Sequence, residues 1–198
     1  MSSPSGAGKT TLTQDLLEHF PDLMFSVSHT TRKPRVSEVH GRDYHFVDPT
    51  TFRKEISEDA FAEWAEVHGN LYGTSFREID RCQQLGKRGI VFDIDYQGAR
   101  QIKARCPDAV GVFVLPPSMD ELKRRLRGRA SDDESAIERR FANAKREVEH
   151  YGLFDYLIVN DDLEQAKLRL RSIVLAERSR RWRMAGPAEQ LLRRARGD

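Results

Sequence analysis

Ser3-Pro4-Ser5-Gly6-Ala7-Gly8-Lys9-Thr10, near the start of the 198-residue chain, is the stretch that decides the fold. Apolar residues at helical spacing follow it directly, namely Leu12, Leu16, Leu17 and Phe20, so we predict a helix from about Lys9. A glycine turn before a helix directs backbone N–H groups at phosphate oxygens. Lys9 is then placed to reach the β- and γ-phosphates of a nucleotide, and the Thr10 hydroxyl to bind Mg²⁺. The stretch therefore predicts a phosphate-binding loop.

Two features depart from the full pattern of such a loop. The pattern has glycine where this chain has Ser3, and the loop should follow a buried strand, whereas only Met1 and Ser2 precede Ser3. Two explanations stay open: either the start is truncated, or the sheet lacks a central strand.

The rest of the chain alternates short apolar runs with helical patterns, which predicts an α/β fold with a doubly wound parallel sheet. The predicted strands are Leu23 to Ser28, Gly89 to Ile94, Ala109 to Leu115 and Tyr156 to Val159. Two capping boxes predict helix starts, Ser118 with Glu121 and Ser131 with Glu134. A long helix is expected after Asp162, with Leu170, Ile173 and Val174 facing inward.

Between Thr30 and Thr74 this alternation breaks, because aromatic and charged residues are scattered there. We predict a small insertion with its own short strands. An insertion over the carboxyl ends of a parallel sheet is a typical ligand-binding region.

Composition excludes several classes of protein. With 33 Lys plus Arg against 31 Asp plus Glu, the net charge is only +2, so a dedicated nucleic-acid binder is disfavoured. The end of the chain is more basic, since seven arginines face Glu189 and Asp198 after residue 177. We interpret it as a solvated helical tail, with a nucleic-acid or partner contact as the alternative.

Membrane and secretory signals are absent from the sequence. It has no apolar run of the roughly 18 to 20 residues that a spanning helix needs, and no signal peptide, so we expect a cytoplasmic protein. Cys82 and Cys106 make no disulfide framework and lack metal-ligand spacing. A homo-oligomer is compatible with the sequence.

Six motifs in order along the chain resemble those of the guanylate kinase family, over about residues 3 to 180. They are Ser3 to Thr10, Ser26 to Arg35 (SVSHTTRKPR), Glu38 to Tyr44 (EVHGRDY), Gly69 to Thr74 (GNLYGT), Asp93 to Gly98 (DIDYQG) and Ile158 to Asp162 (IVNDD). The resemblance implies a P-loop kinase that transfers the γ-phosphoryl group of ATP to GMP, with Mg²⁺ as cofactor. It implies ATP binding by Ser5, Gly6, Ala7, Gly8, Lys9, Thr10 and Thr11.

Arg32 and Arg35 lie three residues apart, and planar guanidinium groups suit a dianionic phosphate. Taken alone, they are more often surface charges. The resemblance assigns them, with Tyr44 and Tyr72, to the phosphate of GMP.

Glu63 lies in the apolar run Phe61 to Ala65, where a carboxylate needs hydrogen-bond donors. Guanine offers two, at N1–H and N2–H₂. The resemblance implies that Glu63 binds this edge and that the Ser28 and Thr74 hydroxyls lie near the base. The alternative for Glu63 is an exposed strand residue.

Asp93 follows the apolar run Ile90 to Phe92, and Asp95 lies two residues further on. We expect one or both at the carboxyl edge of the sheet, facing the nucleotide and its Mg²⁺. The division of their roles stays open, and capping of the next helix is the alternative.

Arginines surround a segment at about residues 127–140 that we predict to be a lid. Arginines brought in by lid closure stabilise the charge that develops during phosphoryl transfer. By resemblance Arg125, Arg129 and Arg140 contact phosphate and act in catalysis with Lys9, and Asn160 contacts the adenine side.

These inferences predict a single domain over residues 1–198. Its core comprises 1–29 and 75–183, the GMP-binding insertion 30–74, the lid about 127–140 and the basic tail 184–198. Two alternatives are a catalytically weak or inactive binding module, given the absent strand, and a kinase of the same fold with another substrate. Retention of Lys9 and Thr10 disfavours the first, and Glu63 with Ser28 and Thr74 disfavours the second.

Overall fold

A computed structural model describes residues 1–67, 69–128 and 134–196, which adopt a mixed α/β fold. The strands are β1 Leu23–Phe25, β2 His29–Thr30, β3 His45–Phe46, β4 Phe61–Val67, β5 Asn70–Ser75, β6 Gly89–Val91, β7 Val112–Leu115 and β8 Tyr156–Val159. The α-helices are α1 Lys9–His19, α2 Pro49–Ser57, α3 Phe76–Gln84, α4 Tyr96–Arg105, α5 Met119–Arg127, α6 Glu134–Glu149, α7 Leu163–Arg178 and α8 Ala185–Arg196.

The core sheet consists of two parallel pairs of strands, β1 with β6 and β7 with β8. All four lie within the predicted runs, although β1, β6 and β7 are shorter than predicted. Phe113 and Val114 are fully buried, as expected for strands covered on both faces.

Met1 and Ser2 lie between the two pairs and bond to both. The Met1 amino group donates to the Phe92 carbonyl at 2.7 Å, and the Met1 carbonyl accepts from Ile94 N–H at 3.2 Å. Ser2 donates to the Val112 carbonyl at 3.0 Å and accepts from Val114 N–H at 2.9 Å. Among the described residues, these two alone bridge β6 and β7, so the ladder between the pairs is two residues long.

Helices α1 and α7 cover one face of these strands. Leu12 and Leu16 of α1 and Leu170 of α7 are buried against Val114 and Ile158. Ile173 and Val174 pack on the same cluster, which confirms the predicted inward face of α7. This packing fixes the start of α1, and with it the phosphate loop, over the sheet.

The region after β1 forms a separate four-stranded sheet in the order β3-β2-β5-β4, which spans the predicted insertion. A β-bulge between Phe61 and Glu63 lets three successive side chains of β4 be buried, and it places Glu63 opposite Thr74. The sequence analysis missed α2, although Asp48 caps it and Pro49 occupies its first position, both strong helix-start signals.

Helices α5 and α6 pack on each other through Leu122, Leu126, Ile137 and Ala144. The predicted cap at Ser118 is present, because its hydroxyl accepts from Glu121 N–H at 3.1 Å. The second predicted cap, Ser131, lies outside the described residues, as does part of the predicted lid.

The basic tail contains α8, which has no buried residue. The solvated helix expected there is therefore observed over residues 185–196. None of the described helices is long and apolar enough to span a bilayer.

Candidate active site

The phosphate loop ends in a left-handed residue. Gly8, at the N-cap of α1, has φ +97° and offers no side-chain cap, so the first N–H groups of α1 have no capping partner from that residue. Thr10 and Thr11 in the first turn are exposed. This is the geometry of an anion site at a helix N-terminus.

Lys9 forms an ion pair with Asp93, which follows β6 as predicted. Asp95 has a different local role, since its Oδ1 caps α4 by accepting from Gln97 N–H at 3.0 Å and Gly98 N–H at 2.9 Å. The capping alternative for Asp95 is therefore observed. Both carboxylates nonetheless lie at the predicted carboxyl edge of the core sheet. Asp93 is beside Lys9 of the phosphate loop, and Asp95 is near Glu63 of the four-stranded sheet.

Side chains from α5, α6 and β8 converge on the phosphate loop. Arg140 donates to Ser5 Oγ at 2.7 Å, and Arg125 donates to the Asn160 carbonyl at 3.2 Å. Asn160 is buried and donates to the Ala7 carbonyl at 2.7 Å. Asn160 thus holds the loop in this structure, and its predicted adenine contact stays a prediction. Arg129 lies outside the described residues.

A Cβ atom at Gly8 would lie 2.3 Å from Asn160 Nδ2. This approach, together with the left-handed φ, explains why glycine is required there.

The predicted base-contacting residues lie close together. The Ser28 and Thr74 hydroxyls are 3.0 Å apart, and Glu63 is opposite Thr74 across β4 and β5. A Cβ atom at Gly98 would lie 2.4 Å from Glu63 Oε2, so this glycine of α4 makes room for the carboxylate.

Glu63 is only 4% exposed. Burial raises its pKa from 4.5 to about 7, hydrogen bonds from Thr74 oppose that rise, and the charge of Asp95 adds to it. The exposed-residue alternative is thus wrong. The hydrogen bonds from Thr74 do not offset the cost of burying this carboxylate, and a ligand with two N–H groups would supply further donors.

Arg32, Tyr44 and Tyr72 form a second cluster of side chains. The Arg32 guanidinium carbon is 5.5 Å from the Tyr44 ring centroid, and the two tyrosine rings are 6.1 Å apart. Arg32 donates to both Glu38 oxygens, at 2.8 and 2.9 Å. Its predicted companion Arg35 has a side chain 76% exposed, 4.0 Å from Glu38. Glu38 therefore orients Arg32.

The sequence analysis missed Glu147 of α6. Burial raises its pKa to about 7, and the nearby Lys9 charge and the Ser5 backbone oppose the rise. Its Oε2 is buried without a hydrogen-bond partner among the described residues. In the sequence it looks like one more charge of a solvated helix, so only the fold reveals its position at the phosphate loop.

Donors for a metal ion are few. Among residues 1–67, 69–128 and 134–196, no group of three or more His, Cys, Asp or Glu could hold one. Mg²⁺ in proteins keeps several waters and is typically held by one or two protein oxygens together with substrate phosphates. The Thr10 hydroxyl is exposed at the loop and fits such a role.

Asp93 links the phosphate loop electrostatically to Tyr44. It pairs with Lys9 of the loop, and its charge adds to the burial that raises the pKa of Tyr44.

Comparisons with known proteins agree with this geometry. A family model described as guanylate kinase matches residues 1–177. The guanylate kinase of Geobacter metallireducens is 50% identical over 184 residues, 93% of this chain and 90% of that protein. That of Myxococcus xanthus is 51% identical over 185 residues, 93% and 88% of the two chains. The crystal structure of guanylate kinase from Anaplasma phagocytophilum superposes with a TM-score of 0.73 at 34% identity, covering 90% of this chain and 84% of that one.

Proposed function

The chain belongs to the guanylate kinase family, and we propose that three parts of it divide that family's reaction between them. These parts are the phosphate loop, the four-stranded sheet β3-β2-β5-β4 and the arginines of α5 and α6. The enzyme transfers the γ-phosphoryl group of ATP to GMP, giving ADP and GDP. The observation that carries the assignment of residues is the buried Glu63 beside two hydroxyls, adjoining the pocket that holds Arg32.

ATP binds with its phosphates over residues 5–11. The N–H groups at the start of α1 donate to the phosphate oxygens, and Lys9 exchanges Asp93 for the β- and γ-phosphates. Mg²⁺, when bound with ATP, supplies charge neutralisation at the phosphates, with Thr10 as its protein ligand.

GMP binds with guanine in the Glu63 pocket. The N1–H and N2–H₂ groups donate to the carboxylate, and the Ser28 and Thr74 hydroxyls lie beside the base. Its phosphate binds Arg32, Tyr44 and Tyr72. Arg35, whose side chain is exposed in the free chain, moves in to contact the phosphate when GMP binds. Adenine has an acceptor at N1, which would face an oxygen of Glu63, so AMP is rejected.

The transferring group lies between the two pockets, where positioning and charge supply most of the acceleration. We assign the contacts with its oxygens to Arg140, which donates to Ser5 Oγ, and to Arg125, which donates to the Asn160 carbonyl. Arg129 is assigned to the same task by its place in the motif. The segment at about 127–140 acts as a lid that excludes water and so prevents hydrolysis of ATP.

In this proposal the scaffold is a doubly wound parallel P-loop core over 1–29 and 75–183. The insertion over 30–74 binds GMP, and the tail over 184–198 is a basic, solvated segment. Cytoplasmic location stays a prediction, which subcellular fractionation tests.

A coupled assay of ADP release tests the proposal, with GMP, AMP, UMP and a sugar phosphate offered as acceptors. We expect turnover with GMP and little with the others. Equal rates with GMP and AMP would remove Glu63 from base recognition, and binding of both nucleotides without ADP release would identify a binding module.

A further inference from the structure

Strand β4, which carries Glu63, lies at one edge of the four-stranded sheet in the order β3-β2-β5-β4. Among the described residues, no strand pairs with its outer side. An edge strand presents a row of N–H and C=O groups on that side without strand partners. Two of these groups on β4 are nonetheless bonded, and both belong to Trp64, the residue directly after Glu63.

The partner of both groups is the side chain of Gln101 on α4. Its Nε2 donates to the Trp64 carbonyl at 2.6 Å, and its Oε1 accepts from Trp64 N–H at 3.1 Å. Nε2 also donates to the Gln97 carbonyl, one turn earlier on α4, at 3.3 Å. An amide carries a donor and an acceptor together, as the main chain of a strand does. Gln101 therefore takes the place of a neighbouring strand at this one residue.

These two bonds fix which side chains of β4 face inward after its bulge. Trp64 directs both its N–H and its C=O away from β5, so it occupies a non-hydrogen-bonded position opposite Gly73. Strands approach most closely at such positions, and a Cβ atom at Gly73 would lie 2.9 Å from Trp64 Cβ. Because the side chains of a strand alternate between its faces, Glu63 and Ala65 are buried while Trp64 is exposed.

The helix that carries Gln101 also makes room for the Glu63 carboxylate. Gly98 lies three residues before Gln101, so both positions share the face of α4 that packs on β4. A Cβ atom at Gly98 would lie 2.4 Å from Glu63 Oε2. Gln101 thus holds the main chain of β4 beside the glycine that admits the carboxylate.

We propose that Gln101 is a positioning residue for base specificity, whose amide holds β4 at Trp64 and thereby directs Glu63 at the edge of guanine. This role rests on the proposed binding of guanine by Glu63. Gln101 acts through the main chain of Trp64 and not on the substrate. It is only half-buried, so water replaces its bonds to Trp64 when the amide is removed. Loss of the amide therefore costs little stability and mainly frees the direction of Glu63.

Gln101→Met tests the proposal, because methionine keeps the length of the side chain and forms neither bond. GMP and IMP are the two acceptors, since IMP keeps the N1–H of GMP and lacks its N2 amino group. We expect KM for GMP to rise about 10-fold, with kcat and KM for ATP nearly unchanged. The preference for GMP over IMP in kcat/KM should fall. Gln84→Met, at an exposed glutamine of α3, is the matched control and should change neither quantity.

Amide hydrogen exchange measured by mass spectrometry gives a readout that does not depend on activity. Without nucleotide, the segment around Trp64 should exchange faster in Gln101→Met than in the wild type, whereas α1 should exchange at the same rate. A general loss of stability would speed exchange in both segments. It would also lower kcat with both acceptors in proportion and leave their ratio unchanged, so the two effects are separable.

Two sets of results would count against the proposal. If the preference for GMP over IMP survives Gln101→Met, or if exchange around Trp64 is unchanged, Gln101 does not position Glu63, and the proposed function stands without it. Faster exchange throughout the variant with an unchanged KM for GMP would show that Gln101 only supports the fold. A wild-type chain that uses IMP as well as GMP would instead overturn base recognition by Glu63, and the role of Gln101 with it.

Discussion

Replacing Glu63 by Gln should raise stability and lower activity at the same pH. The side chain is buried, and its pKa of about 7 means that the fold disfavours the ionised form. Gln has nearly the same shape and carries no charge. The substitution therefore removes a cost of folding while it removes the acceptor that guanine needs.

The magnitude follows from the pKa shift. A rise from 4.5 to about 7 is worth about 3 kcal/mol, at about 1.4 kcal/mol per pKa unit. Because the folded pKa is the higher one, the wild-type chain has this stability in full below pH 4.5 and loses it as the pH rises through 7. Glu63→Gln keeps it, so its advantage grows from near zero at pH 4.5 to about 3 kcal/mol at pH 8.

The loss of activity has the opposite sign. One hydrogen bond to a charged group is worth about 1.5 to 3 kcal/mol, so kcat/KM for GMP should fall roughly 10- to 100-fold. In the wild type, guanine donors favour the ionised carboxylate, so GMP binding near pH 6 should release a proton. Calorimetry in buffers of different ionisation enthalpy measures that release, which Glu63→Gln should abolish.

Denaturant unfolding without nucleotide, at several values between pH 4.5 and 8, tests the stability argument. Glu66→Gln is the matched control, because Glu66 lies on the same strand and is exposed. A stability difference between Glu63→Gln and wild type that stays constant with pH would refute the reasoning, as would unchanged kcat/KM for GMP.

Three further substitutions test the rest of the site. Lys9→Ala should lower kcat by orders of magnitude and leave apo unfolding nearly unchanged; a collapse of apo Tm would show a structural role. Gly8→Ala should abolish ATP binding measured by calorimetry, because its Cβ would lie 2.3 Å from Asn160 Nδ2, and normal affinity would contradict that geometry. Glu38→Gln should raise KM for GMP several-fold with little change in kcat, because Arg32 loses its ionic partner; an unchanged KM would show that Arg32 needs no such support.

Sequence patterns predicted the parts of this molecule that depend on local spacing. The helix from Lys9, the β8 bounds and the inward face of α7 follow from periodicity, and the structure confirms them. Ser28 and Thr74 belong to two of the ordered motifs, and Glu63 stands out as a carboxylate in an apolar run; that the three bind a base stays a prediction. Glu63 and Thr74 lie close together because β4 and β5 pair in one register.

The remaining features depend on tertiary contacts that no local pattern encodes. Glu147 is charged and lies on a helix rich in charges, so its burial beside the phosphate loop follows only from how α6 packs. The role of Asp95 as a cap depended on β6 ending at Val91, four residues earlier. The bulge that turns Glu63 inward likewise depends on pairing with β5.

The groups that we propose to hold phosphate already have internal acceptors in the free chain. Lys9 pairs with Asp93, and Arg32 is held by both oxygens of Glu38. Such pairing lets a chain of net charge +2 concentrate cations at one place without self-repulsion. Nucleotide binding then exchanges one anionic partner for another, so the free energy gained is a difference between two ion pairs. A phosphate dianion with bidentate geometry binds the cationic side chain more strongly than the internal carboxylate does. A water molecule binds it less strongly and does not displace the carboxylate. The internal acceptors thus contribute to selection of phosphate over solvent at both pockets.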